Sequence, residues 1–77
     1  MTRLPSPSGK EILTALHRGG FVLTHVRGSH HYLRKPGTGL VVVPVHGNRS
    51  LPAGTFHSIL RQAGLTTDEF QRLLQGR

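Results

Sequence analysis

Between positions 8 and 18, Ile12, Leu13 and Leu16 recur at helical spacing among polar residues, which predicts an amphipathic helix. Ser8 and Glu11 stand in capping-box relation, each side chain suited to the other's free backbone N–H, and Gly19-Gly20 ends the segment. The pattern then changes to strand chemistry over residues 21–26, 30–34 and 40–45. Gly28-Ser29 suits a two-residue hairpin turn, and "KPGTG" at residues 35–39 a longer one. Pro44 belongs at a strand end or an edge, because it has no N–H to donate. Helical spacing returns over residues 52–63 with Phe56, Ile59, Leu60 and Ala63 on one face, stopped by Gly64. Thr66 and Glu69 form a second capping box, opening a short helix that carries Phe70, Leu73 and Leu74. The order α-β-β-β-α-α predicts an α+β fold, a three-stranded antiparallel sheet with helices on one face.

With Gly28-Ser29 as the turn and no bulge, residue 27 pairs with 30, 25 with 32, 23 with 34, 34 with 40 and 32 with 42. Opposed residues share a face. One face then carries Val22, Thr24, Val26, His31, Leu33, Val41, Val43 and Val45, the natural core side. The other carries Phe21, Leu23, His25, Arg27, His30, Tyr32, Arg34, Leu40, Val42 and His46, a mixed basic and aromatic surface. A bulge or one-residue slip exchanges the faces.

Seventy-seven residues predict one domain, 1–77, with a thin core. The chain has no cysteine, so neither a disulfide framework nor a thiolate zinc site supplements that core. The first ten residues contain no apolar run, and the longest run, residues 40–43, is too short to span a bilayer. A soluble cytoplasmic protein with no membrane partner is expected. Charge sharpens the picture. Ten Lys and Arg face three acids, a net charge of +7, and residues 12–67 hold no carboxylate. A purely solubilising surface mixes both signs, whereas a surface of one sign attracts polyanions, nucleic acid first among them. The basic residues are not gathered on one amphipathic helix, which argues against a membrane-surface role.

Several segments resemble the HicA family of bacterial toxins when read in order. These are "GFVL", Gly28-Ser29-His30, Val43-Pro44 followed by His46, Gly54-Thr55, and Ile59-Leu60-Arg61-Gln62-Ala63-Gly64-Leu65. The resemblance covers residues 10–70. It implies a fold similar to a double-stranded-RNA-binding domain (dsRBD-like), ribosome-independent cleavage of RNA, chiefly mRNA, and a HicB antitoxin as partner. It also places the catalytic role on the histidine after the Gly-Ser turn, His30, with His31 in reserve and Gly28 shaping the turn. The sequence departs from the family pattern at Phe56, where leucine is commoner, and in the lysine-poor loop "HGNRS".

A histidine cleaves RNA by taking the proton of a 2′-hydroxyl, which then attacks the adjacent phosphate; imidazole's ordinary pKa of about 6.5 suits that task. Arg27 and Arg34 are the candidates for holding the phosphate, Tyr32 for stacking on a base, and Gly28, Ser29 and Lys35 for completing the RNA contact. His46 is the candidate acid for the departing oxygen, with water as the alternative and a purely structural role for His46. His31 reads as a packing residue, while His17, His25 and His57 have no partner pattern. Adjacent strand residues face opposite ways, so His30 and His31 do not share an ion; with no carboxylate nearby, neither metal nor other cofactor is expected. The competing function is a non-catalytic RNA-binding module that recognises duplex shape with the same face. A pure protein-interaction domain is the third reading.

Overall fold

A computed structural model describes residues 6–76. The first ten residues, expected to hold no apolar run, include residues 1–5, which lie outside the described span, as does residue 77. The chain runs α1 (Gly9–Arg18), β1 (Val22–Arg27), β2 (His30–Lys35), β3 (Thr38–Pro44), α2 (Ala53–Ala63), α3 (Thr67–Leu74). The predicted α+β order is the observed one.

Both capping boxes form as spaced. The Ser8 hydroxyl accepts from the Glu11 N–H at 3.2 Å while Glu11 Oε1 accepts from the Ser8 N–H at 2.9 Å. Thr66 and Glu69 repeat this at 3.1 and 2.8 Å. Helix α2 starts after Pro52 without a side-chain cap. It stops at Gly64, whose φ of 70° lets the Leu65 N–H reach back to the Leu60 carbonyl at 3.0 Å.

The sheet is antiparallel in the order β1-β2-β3. Leu33, Val41 and Val43 on its helix side join Ile12, Ala15 and Leu16 of α1, Phe56, Ile59, Leu60 and Ala63 of α2, and Phe70 of α3 in one core. Phe56 and Phe70 meet edge to face, 4.9 Å between centroids. Only one side of β3 has a sheet partner, and on its free edge the Val42 N–H donates to Gln62 Oε1 of α2 at 3.2 Å.

Three sequence expectations are corrected. First, β1 is bulged between Leu23 and His25, so Leu23 pairs with Leu33 and Val22 with Arg34. The extra residue reverses the alternation beyond it: Leu23 joins the helix side, and Val22 and Thr24 leave the predicted core face. Helix α1 touches β1 only sparsely, however, and Leu23 and Val26 are each 48% exposed. Second, Phe21 is not on the open face. It precedes β1, its N–H bonds to the Leu16 carbonyl at 3.0 Å, and its ring is buried. Third, the second hairpin is irregular as well: Lys35 pairs with Thr38, leaving Pro36-Gly37 as the turn with Gly37 at φ 81°, and the register shifts between Leu33 and Lys35, so the expected pair of 34 with 40 is absent from the ladder.

Candidate active site

The site begins at the Gly28-Ser29 turn. Gly28 has φ 58° and Ser29 does not share a positive φ, the pattern of a type II′ hairpin turn, whose twist matches that of the strands. A Cβ on Gly28 would meet nothing within 4 Å, so conformation rather than space demands glycine there. The turn sets Arg27 opposite His30, and on the other side of β2 Pro44 opposes His30. His30 is exposed. The strand alternates regularly from His30 to buried Leu33, which puts His30, Tyr32 and Arg34 on the helix-free face and His31 on the helix side.

His31 lies in a row between Val26 and buried Val43. It is half-buried, and its Nδ1 is buried without a hydrogen-bond partner. Tyr32 is half-buried, and the His25 ring lies flat on it, 4.2 Å between centroids with 6° between planes. Arg34 is exposed opposite Val22.

His25 is the residue that sequence reasoning passed over. The unbulged pairing already put it opposite Tyr32, and the structure keeps that pair. The bulge adds something no alternation predicts: neighbours 24 and 25, which would face apart on a regular strand, come together. Thr24 Oγ1 donates to the Tyr32 carbonyl at 3.1 Å and lies 3.2 Å from His25 Nδ1. A hydroxyl has one hydrogen, and the Tyr32 carbonyl takes it, so His25 Nδ1 carries the proton of the second bond.

Two candidates stand apart from this group. Strand β3 ends at Pro44, so strand alternation does not extend to His46. His46 is exposed in the following loop, next to Val45, whose N–H bonds to the Ser29 carbonyl at 2.8 Å. Lys35 is at the far end of β2 from His30. Its Nζ sits 5.5 Å from the Phe21 ring centroid, and it lines an open depression of about 290 Å³ with Gly19, Leu65, Glu69, Arg72 and Leu73.

Charge is distributed unevenly. Glu11 and Glu69 are both engaged in helix caps. The Thr66 backbone N–H and hydroxyl hold the Glu69 carboxyl below its ordinary value of 4.5, with a smaller contribution from Arg72. Arg18 is also committed, donating from Nη1 to the Leu73 and Leu74 carbonyls at 2.9 Å each at the end of α3. Arg27 and Arg34 stay on the sheet's open face, inside the stretch that contains no carboxylate. Among the described residues, no three His, Cys, Asp or Glu side chains cluster as metal ligands, and no helix is long and apolar enough to cross a membrane.

An exposed histidine beside a glycine turn, flanked by arginines and a stacked aromatic pair, can exchange a proton with a polyanion held on the same face. No curated protein matches the chain. The family model described as "HicA toxin of bacterial toxin-antitoxin" matches residues 9–65, from the first residue of α1 to just past α2. That span covers α1, the whole sheet with its Gly-Ser-His turn, and α2, and with it the chain belongs to the HicA toxin family.

Proposed function

We propose that this toxin is a ribosome-independent endoribonuclease that cleaves mRNA with His30 as general base, and that a HicB-type antitoxin restrains it. The observation that carries the reading is the placement of exposed His30 on a helix-free sheet face with Arg27 opposite and Tyr32 and Arg34 along the same strand. His30 removes the proton of a 2′-hydroxyl, the 2′-oxygen attacks phosphorus, and the arginines stabilise the charge that develops on the phosphate. Gly28 and Ser29 set the angle at which the strand presents His30. Lys35, at the other end of β2, serves RNA only as a distant contact. The antitoxin has a surface of one sign to complement, so it covers the open face with carboxylates. Such a toxin works in the cytoplasm, where its substrate is.

The test is cleavage of a defined RNA in excess EDTA, by the wild type and His30→Ala. Cleavage by the wild type alone, leaving a 2′,3′-cyclic phosphate or its hydrolysis product, is expected. A 5′-phosphate beside a free 3′-hydroxyl would make water the nucleophile and end the scheme. RNA binding without cleavage would leave a non-catalytic RNA-binding module.

A further inference from the structure

Cleavage through a 2′-hydroxyl needs a second proton transfer, because the 5′-oxygen leaves poorly as an alkoxide. We propose that His25 supplies that proton, an inference that rests on His30 being the base. Of the five other histidines, His31 faces the helix side, His17 and His57 are on helices, and His46 lies beyond the end of β3. His25 alone shares the open face of the sheet with His30. The two occupy diagonal positions, since His25 opposes Tyr32 and His30 opposes Arg27. Diagonal neighbours across an antiparallel pair are about 7–8 Å apart along the backbone, which leaves room for a phosphate between the two rings.

The ring is also prepared for the role. Its Nδ1–H is engaged by Thr24 Oγ1 at 3.2 Å, and one of its faces is covered by the Tyr32 ring at 4.2 Å. Two contacts from different directions hold the ring's orientation. The nitrogen left to exchange a proton is Nε2. In the imidazolium form Nε2 carries a hydrogen that it gives to the 5′-oxygen as the P–O5′ bond breaks. His30 meanwhile gains the proton of the 2′-hydroxyl, so the step ends with His25 neutral, His30 charged, a 2′,3′-cyclic phosphate and a free 5′-hydroxyl. Hydrolysis of the cyclic phosphate returns both protons.

The groups facing His25 are Arg27 on its own strand and His30, Tyr32 and Arg34 on β2. Strand β3 contributes no titratable side chain, as its residues 38–44 contain none.

The decisive experiment uses one RNA in two forms, the ordinary phosphodiester and the same strand with sulfur replacing the 5′-oxygen at the mapped cleavage site. A thiolate leaves without being protonated. His25→Ala is expected to slow the ordinary RNA by roughly 10²–10⁴-fold and to erase one limb of the pH profile. The same variant should cleave the sulfur-substituted RNA within a few-fold of the wild type. His30→Ala should fail on both, since the base is needed for either leaving group. Equal loss of both substrates in His25→Ala, or none, would overturn the assignment. So would transfer of the whole pattern to His46→Ala. A His30→Ala protein that cleaved both substrates would instead refute the base itself, a failure visible without reference to His25.

Discussion

Gly9 opens α1 directly against the end of β3, and replacing it with alanine pits two opposed effects against each other. Alanine is worth about 0.8–1.0 kcal/mol over glycine inside a helix, and less at the first helical position. Against that gain stands the space. A Cβ on Gly9 would press on the Pro44 carbonyl oxygen and come within 3.0 Å of Val45 Cα and Cγ2. Two of these three atoms are backbone and have no rotamer to change. Overpacking a filled site costs about 1–3 kcal/mol, and rigid neighbours put this site in the upper half of that range. The net destabilisation is then about 1–2 kcal/mol, from a total that for a chain of this size is only about 4–12 kcal/mol. At roughly 4–8 °C per kcal/mol, Gly9→Ala should lower Tm by about 4–16 °C in a thermal melt followed by circular dichroism. The disturbance should reach the site, because Pro44 opposes His30 and the Val45 N–H holds the Ser29 carbonyl. RNA cleavage at a temperature where the variant is folded should therefore fall as well. A Tm equal to or above the wild-type value would mean that α1 slides off β3 freely, and the argument from close packing would be wrong.

The Glu69 carboxyl, held below 4.5 by its cap, stabilises α3 fully above 4.5 and loses that contribution as pH falls through the lowered value. An acid series of thermal melts should show this loss in the wild type and a flatter profile in Glu69→Gln, which keeps an acceptor for the cap; identical profiles would exclude Glu69 as the cause. His31→Leu removes a buried nitrogen that has no partner and should raise stability by about 1 kcal/mol while RNA cleavage persists. His31→Ala, which opens a gap beside Val43, should lower stability instead. If His31→Leu stopped cleavage and His30→Ala did not, the two histidines would exchange roles.

What the chain alone determined is local. A serine or threonine three residues before a glutamate specifies a cap because both bonds close within one turn of helix, and both boxes formed as spaced. Gly28 specifies a hairpin because few other residues tolerate its φ, and from that turn the pairs Arg27–His30 and His25–Tyr32 follow by counting. The burial of Leu33, Val41 and Val43 on one face is equally a consequence of strict alternation. Tertiary structure decided whatever depended on elements meeting. Phe21 reads as a strand residue, yet the Leu16 carbonyl at the end of α1 takes its N–H and the core takes its ring. The bulge at Thr24 lets the strand begin after that buried ring while the turn-proximal pairs keep their register; nothing in the residues 22–25 marks where the extra residue goes. Lys35 sits in the same basic stretch as Arg34, but it falls on the other face and extends over Phe21 towards α3. His25 was on the predicted face from the start. Only the bulge brings the Thr24 hydroxyl to it, because neighbours on a regular strand point apart.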